Sequence, residues 1–368
     1  MNIGIVTVHD SSNFGSYLQA LGMQEVIKHN GDTPYFIKSR SKLTTLALFL
    51  GYNRSKSVRS VRNFLRFLRS AVKNPKDIQT GLKKYKTYKR DWSRYERVIS
   101  IRQANRIGMD AVLFGSDELW NVNKPAFQNP ALYGIGINAK RKSAYAISYG
   151  NATAEQIQKF PQLIDAVKKM DAIAVRDEYT RTLLETIGAK VDAKVCDPTI
   201  QADVRQYMRN DSEQKLPNEP CMVIYAYSVP KEVRDEITAY AKANHLKTVA
   251  VTLPQSWCDY YVNCSPLEFG SVLNKAKCVY TATFHGTIFS ALYHTNFVVD
   301  SQLPKVIDVL NLLGLENRRL DTVSAEKLTE KDNEKIDYSE FENHLQEIRK
   351  ASKKWYAYCV GGETNESM

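Results

Sequence analysis

The sequence lacks any long hydrophobic run. A transmembrane helix needs about 20 consecutive apolar residues, and the stretch from Leu43 to Tyr52 is shorter than that and is flanked by cations. The chain also lacks the basic and then apolar segments of a secretion signal at its start, because Ile3 to Val8 lead directly into the polar run His9 to Asn13. These absences predict a cytoplasmic protein, either free or peripheral at the inner face of the cell membrane.

Several signatures of metal and cofactor sites are also absent. No two of the six cysteines have the two-residue spacing of a zinc knuckle or a redox motif, so we interpret them as reduced and mostly structural. Gly134 and Gly136 form only a fragment of a dinucleotide fingerprint, without a third glycine or a clear following helix. The chain has no phosphate loop and no nucleophile elbow. We therefore expect no metal site and no nicotinamide cofactor.

Acidic residues are scarce in one part of the chain. The net charge is +11, and between Lys42 and Arg97 the many cations are accompanied by only three acids, Asp77, Asp91 and Glu96. A basic surface attracts anions at long range, so an anionic substrate, the anionic face of a membrane and nucleic acid are candidate partners. A solvated helix face explains the charge equally well. Nucleic acid is not expected, because no recognisable reading motif accompanies these cations.

The chain is too long for one ordinary domain. It has 368 residues, and single hydrophobic cores usually stop growing at about 250 to 300 residues. The polar, proline-bearing stretch 210–220 has the composition of a linker. We therefore predict an N-terminal domain over 1–209, a C-terminal domain over 221–335, a C-terminal helix over 336–360 and a flexible tail over 361–368.

Strands and helices alternate along most of the sequence. The β-branched segment Asn2 to Val8, the amphipathic run Tyr17 to His29 and the segment Thr33 to Lys38 predict a strand, a helix and a second strand. A helical and basic pattern over about 41–100 predicts an insertion or lid. Further strands are predicted at 110–114, 143–148, 172–175, 191–195, 222–227, 248–252 and 278–281. This order predicts two α/β domains, with ligands bound beyond the carboxyl ends of parallel strands.

Polar motifs follow several of these strands. In chain order they are NFGSYLQA from Asn13, FGSDELWN from Phe114, AVRDEYT from Ala174 with CDPT from Cys196, and ATFHGTIFSAL from Ala282. Together with GLENRRL from Gly314, their order and spacing resemble the polysaccharide pyruvyl transferase family over nearly the whole chain.

The resemblance implies a fold and a reaction. The implied fold is two Rossmann-like domains that face each other across a cleft, similar to the GT-B architecture of glycosyltransferases. The implied reaction transfers a pyruvyl group from phosphoenolpyruvate to a sugar of a cell-surface glycan or its lipid-linked precursor, with no further cofactor.

Two of the motifs offer candidate residues in the first domain. Gly15, with Asn13, lies where the first strand ends, so its backbone is a candidate for close approach to a ligand; a plain tight turn is the alternative. Ser116 and Asp117 follow an apolar strand, and Asp117 is the first choice for a carboxylate that binds the acceptor sugar or acts as a base. Its alternative role is to cap a helix.

Arg176 is the candidate cation of the first domain. It follows the predicted strand 172–175, and a planar guanidinium suits bidentate contact with a carboxylate or a phosphate. The alternative is that the adjacent acids Asp177 and Glu178 simply pair with Arg176 or with Arg181.

His285 is the sharpest candidate in the second domain. It lies between a strand that ends at Thr281 and a helix that begins near Thr287, so helix amides there, including those of Gly286 and Thr287, favour an anion. Phosphoenolpyruvate carries a carboxylate and a phosphate, and its reaction needs a proton at the methylene carbon. His285 is therefore predicted to contact the phosphate or to donate that proton, and a purely structural histidine is the alternative.

One position differs from the family pattern. Some pyruvyl transferases carry an arginine two positions before the motif histidine, whereas this chain has Thr283. Arg318 and Arg319 are candidates for the missing cation at the donor site, and exposed caps on the helix that ends near Leu313 are the alternative.

Two other functions fit the same scaffold. One is a glycosyltransferase that uses a nucleotide-activated sugar, because fold does not fix function. The other is a non-catalytic binding protein that has lost the donor site. A pyruvyl transferase releases phosphate from phosphoenolpyruvate, whereas a glycosyltransferase of this kind releases a nucleoside diphosphate. Binding of phosphoenolpyruvate distinguishes a pyruvyl transferase from the non-catalytic protein.

Overall fold

The computed structural model describes residues 1–11, 13–39, 45–46, 49–50, 75–209 and 216–362. Much of the predicted insertion, the first half of the predicted linker and most of the predicted tail lie outside these residues. The structure divides into two compact units, Met1–Ala202 with Ile348–Met368, and Asp203–Glu347. The division falls ahead of the predicted linker, and the end of the chain returns to the first unit.

The first unit contains a parallel sheet, which has seven strands in the described part of the chain. They are β1 (Asn2–Val6), β2 (Thr33–Lys38), β3 (Val98–Ser100), β4 (Met109–Phe114), β5 (Ala139–Ile147), β6 (Ala172–Val175) and β7 (Ala193–Lys194). Their spatial order is β3-β2-β1-β4-β5-β6-β7. The order reverses between β1 and β4, which makes the carboxyl ends of these two strands the switch point of a doubly wound sheet.

Helices accompany these strands in the alternating order that parallel sheets require. They are α1 (Phe14–His29), α2 (Pro75–Asp91), α3 (Ile101–Ile107), α4 (Ala154–Gln158), α5 (Pro161–Lys168), α6 (Glu178–Thr186) and α7 (Pro198–Gln201). The predicted helical insertion over 41–100 is wrong at its end, because Val98 to Ser100 form β3, which pairs with β2 at the edge of the sheet. Alternation in three residues is too short a signal to separate from a helix.

The second unit repeats the plan on a smaller scale. Its strands are β8 (Cys221–Tyr225), β9 (Lys247–Val251), β10 (Tyr260–Val262), β11 (Cys278–Thr281) and β12 (Phe297–Val299), in the parallel order β10-β9-β8-β11-β12. Its helices are α8 (Lys231–Ala243), α9 (Phe269–Lys275), α10 (Phe284–Leu292), α11 (Pro304–Leu313) and α12 (Ala325–Asn333). The last helix, α13 (Tyr338–Val360), begins in this unit and ends in the first.

Three inner strands are buried over their whole length. Every residue of β8, β11 and β6 is buried, as expected for parallel strands that are covered on both faces. No helix in the described ranges combines the length and the apolar character needed to cross a bilayer.

Helix α1 is buried on all sides, so its predicted amphipathic character is wrong. Every residue from Phe14 to Ile27 is buried, including polar side chains such as Gln19 and Gln24. The helix packs against β1, β2 and α7. The approach of α7 is close, because a Cβ atom on Gly22 would lie 2.5 Å from the carbonyl oxygen of Pro198.

Replacing Gly22 by alanine is therefore expected to destabilise the protein by about 1 to 3 kcal/mol, the usual effect of overpacking. In an ordinary helix interior the same change stabilises by about 0.5 to 1 kcal/mol, so the sign of the effect is the test. Urea unfolding followed by circular dichroism measures it. A higher unfolding midpoint for Gly22→Ala would contradict the packing described here.

Candidate functional site

Polar side chains gather at the carboxyl ends of β1 and β4. The Ser16 hydroxyl, in the first turn of α1, donates a 2.8 Å hydrogen bond to Asp117 Oδ2, just after β4. Gln19, one turn later, accepts the Ser116 N–H at 3.2 Å, and its own amide donates to the Thr7 hydroxyl at 2.9 Å. The helix after β1 and the turn after β4 are therefore joined at the switch point, where doubly wound sheets bind ligands.

A buried arginine connects this turn to β6 and β7. Arg176 directly follows β6, and its Nη1 donates to Asp197 Oδ2 at 2.9 Å, while its Nη2 lies 3.6 Å from Asp117 Oδ1. Burial by itself would lower the pKa of Arg176, but the carboxylates of Asp197 and Asp117 outweigh burial and raise it. The guanidinium is therefore a permanent cation between the carboxylates of Asp197 and Asp117. Glu178 forms the predicted alternative pair with Arg181, at 3.4 Å.

Asp197 is fully buried and hydrogen-bonded at both oxygens. Its Oδ1 accepts the Thr199 N–H at 3.0 Å and the Thr199 hydroxyl at 2.8 Å, and its Oδ2 accepts the Ser116 hydroxyl at 3.1 Å in addition to Arg176. A buried carboxylate is tolerated when it is paired in this way. Ser116, predicted to bind substrate, is itself fully buried and holds Asp197 instead.

Asp117 keeps part of its carboxylate at the surface. Its side chain is 21% exposed, and its backbone φ of +68° is a conformation that Asp tolerates better than most residues. Its carbonyl accepts the Ser148 N–H at 3.1 Å, beyond the end of β5. The capping alternative is wrong, because no helix begins there and the next described helical turn is Pro125–Phe127. This oriented carboxylate can accept a hydrogen bond from a sugar hydroxyl or remove its proton.

Asn13 and Gly15 form the start of α1. The Asn13 side chain accepts the Gly15 N–H at 2.8 Å and the Ser16 N–H at 3.4 Å, which makes it the N-cap of the helix. The Gly15 amide is therefore bonded inside the turn, in contrast to its predicted contact with a ligand. The two residues therefore cap the helical turn that carries Ser16.

His285 lies in the first turn of α10, immediately beyond β11. The residue is 8% exposed, so its ring retains only a small accessible part. It lies edge-on to Phe284, with 5.1 Å between ring centres, and nearly parallel to Phe289, at 6.5 Å. The imidazole is thus held between aromatic rings at the carboxyl edge of the second sheet.

The turn that carries His285 is closed by its own side chains. Thr283 Oγ1 accepts the Gly286 N–H at 3.0 Å, and the Thr287 hydroxyl donates to the Thr283 carbonyl at 3.0 Å. A Cβ atom on Gly286 would lie 2.2 Å from Thr281 Oγ1, so glycine is required. Gly286 and Thr287, both predicted to bind substrate, therefore bond within the turn and position His285.

Arg318 is fully buried, contrary to both predicted roles. Its Nε donates to the Phe297 carbonyl at 2.8 Å, and its Nη2 donates to Asn296 Oδ1 at 2.6 Å and to the Lys331 carbonyl at 3.0 Å. Burial lowers the pKa of this arginine from its ordinary value. Arg318 therefore joins β12 to the end of α12, and it is neither an exposed helix cap nor a surface cation for a ligand.

Arg319 is the partly exposed member of this pair. Its backbone lies beside Val299, the last residue of β12. Its guanidinium forms a 3.0 Å ion pair with Asp321 and a 2.7 Å hydrogen bond to Gln302 Oε1. β12 pairs with β11, the strand that leads to His285. Arg319 and His285 therefore lie at the same edge of the second sheet.

Several residues of the first cluster were missed by sequence reasoning. The motif CDPT does not by itself indicate the role of Asp197, and NFGSYLQA does not indicate the roles of Ser16 or Gln19. Their position directly after a predicted strand was a usable signal. Their hydrogen-bond partners could not be predicted from the sequence, because Ser16 and Asp117 are 101 positions apart.

The match to a known protein family includes the polar residues around Asp117 and the turn that carries His285. The sequence model of the family described as polysaccharide pyruvyl transferase matches residues 13–299, which extend from the N-cap of α1 to the end of β12. A search of curated protein sequences gave no significant match.

Two solved structures resemble the chain over nearly its whole length. One is a protein from Listeria monocytogenes described as a UDP-N-acetylglucosamine 2-epimerase, with 10% identity, a TM-score of 0.54, and coverage of 100% of this chain and 99% of that chain. The other is an α,α-trehalose-phosphate synthase (UDP-forming) from Burkholderia xenovorans, with 8% identity, a TM-score of 0.53, and coverage of 98% and 100%. Identities this low indicate the fold alone. The predicted class, two α/β domains of the GT-B kind, is confirmed.

Replacing Arg176 by leucine is expected to cost about 3 to 5 kcal/mol of stability, because it leaves the buried Asp197 carboxylate without its cation. Chemical denaturation of the purified variant measures the loss. Arg181→Leu is the matched control, since Arg181 pairs with exposed Glu178 at 3.4 Å and such surface pairs contribute about 1 kcal/mol or less. Equal losses for the two variants would contradict the role given to Arg176.

Proposed function

Because the chain belongs to the polysaccharide pyruvyl transferase family, we propose that it transfers a pyruvyl group from phosphoenolpyruvate to a sugar of a cell-surface glycan or its precursor. In the proposed reaction a sugar oxygen attacks the carbon that bears the phosphate, and the methylene carbon gains a proton to become a methyl group. A second hydroxyl then displaces inorganic phosphate and closes a cyclic ketal. The proton of each hydroxyl leaves to a base or with the phosphate.

The observation that carries this proposal is the oriented carboxylate of Asp117. Ser16 contacts one of its oxygens and Arg176 the other, and the side chain is 21% exposed at the switch point. In the proposed reaction Asp117 accepts the proton of the attacking hydroxyl. The surrounding cluster has more carboxylates than cations, so it suits a neutral sugar hydroxyl better than a doubly negative donor.

The donor is assigned to residues of the second unit. His285 is proposed to deliver the proton to the methylene carbon, because it lies beyond β11 and a histidine can hold a transferable proton near neutral pH. Thr283 stands where some relatives carry arginine, and here it caps α10. Arg319 is the cation that we propose for the donor carboxylate or phosphate, since Arg318 is buried in the packing of the same unit.

His285→Ala is expected to lower turnover by about a hundredfold or more, because it removes the proposed proton donor. The assay follows phosphate release from phosphoenolpyruvate with a cell-surface glycan as acceptor, and nuclear magnetic resonance detects the new ketal methyl group. His29→Ala, an exposed histidine in the last turn of α1, is the control and should keep full activity. Release of a nucleoside diphosphate from sugar nucleotides, without phosphate release from phosphoenolpyruvate, would refute the proposal.

Asp117→Asn is expected to lower kcat by about a hundredfold while the fold stays intact, because asparagine fits the same space and also tolerates a positive φ. The thermal unfolding midpoint checks the fold in the same samples. Ser16→Ala removes one of the two contacts to Asp117, so it should reduce kcat by a smaller factor. Normal turnover of Asp117→Asn would leave Asp117 without a role in proton transfer.

A further inference from the structure

Two exposed tyrosines of the second unit, Tyr227 and Tyr261, lie near the carboxyl ends of β8 and β9. Tyr227 follows β8 and is 63% exposed, and Tyr261 of the edge strand β10 is 42% exposed. The Tyr261 hydroxyl lies 3.5 Å from the carbonyl of Thr252, the residue that follows β9. We refer to Tyr227 and Tyr261 together as the tyrosine surface.

The loops behind this surface are tied together by a buried glutamine. Gln255 Nε2 donates to the Ala226 carbonyl at 2.8 Å, and its Oε1 accepts the Trp257 indole N–H at 3.1 Å. The main chain that carries Tyr227 is therefore fixed by the loop after β9. A loop whose backbone is already fixed loses little further backbone freedom on binding, which favours recognition.

The strand that leads to Tyr227 contacts the turn that carries His285. The Thr281 hydroxyl, at the end of β11, donates to the Tyr225 carbonyl at 2.8 Å, at the end of the neighbouring β8. A Cβ atom on Gly286 would lie 2.8 Å from Tyr225 Cδ1. Tyr227 comes two residues after Tyr225, so it and His285 emerge from adjacent strand ends of one sheet.

We propose that the tyrosine surface binds pyranose rings of the acceptor glycan. A pyranose ring has an apolar face of C–H groups and a rim of hydroxyls, and tyrosine offers a flat apolar face with a polar tip at low entropic cost. The inference rests on the proposed function and identifies the side chains that hold the glycan next to His285.

Binding to a printed array of hexose and N-acetylhexosamine oligosaccharides, in the absence of phosphoenolpyruvate, tests this assignment. The wild type is expected to bind a subset of the glycans, and Tyr227→Ala and Tyr261→Ala are each expected to weaken that binding by about tenfold. Tyr261→Phe keeps the ring and should retain most of the affinity. Titration calorimetry with the best glycan provides the dissociation constants.

Tyr260→Ala is the matched control. Tyr260 precedes Tyr261 on β10 and is 41% exposed, but successive residues of a strand point to opposite faces. Its loss should leave glycan affinity unchanged. Equal loss in Tyr260→Ala and Tyr261→Ala, or no binding of the wild type to any glycan on the array, would overturn the inference.

These measurements distinguish failure of the tyrosine surface from failure of the proposed pyruvyl transfer. If the tyrosine variants alone lose glycan binding and no phosphate is released from phosphoenolpyruvate, the tyrosine surface stands and pyruvyl transfer fails. If transfer occurs and the KM for the glycan is the same in the wild type, Tyr227→Ala and Tyr261→Ala, pyruvyl transfer stands and the tyrosine surface fails.

Discussion

The buried ion pair between Arg176 and Asp197 is the contact on which the candidate site of the first unit depends. Taking two charges out of water is costly, and the cost is offset only when each charge finds several well-placed partners. Asp197 finds them in Arg176, Ser116 and Thr199. Arg176 in turn faces Asp117, so the partly exposed carboxylate takes its position from a network that is otherwise buried.

The second unit uses a different device to fix its candidate residue. The His285 turn is held by the Thr283 cap and by the close packing that requires glycine at 286. In both units the candidate residue, Asp117 or His285, nevertheless lies beyond the carboxyl end of a parallel strand. That common geometry arises because each strand is followed by a turn whose backbone groups are not used by the sheet.

Local patterns in the sequence predicted a large part of the fold. The strands Thr33–Lys38, Ala172–Val175 and Cys278–Thr281 have the predicted bounds, because each is a short β-branched or apolar run ended by polar residues. The pattern misled at α1, where Ser16, Gln19 and Gln24 are polar yet buried. A polar side chain can be buried when it has a hydrogen-bond partner in the folded protein, and sequence periodicity carries no information about such partners.

The sequence by itself determined most of the alternation of strands and helices, the family and the motifs that follow the strands, because each of these depends on residues close together in the chain. The short strands β3, β10 and β12 were not predicted. Only the tertiary structure decided which polar groups meet. Arg176 and Asp197 are 21 positions apart, and Ser16 and Asp117 are 101 apart. The register of a parallel sheet brings these residues to one edge, and burial then decides that Arg318 is a packing residue whereas Asp117 stays partly accessible.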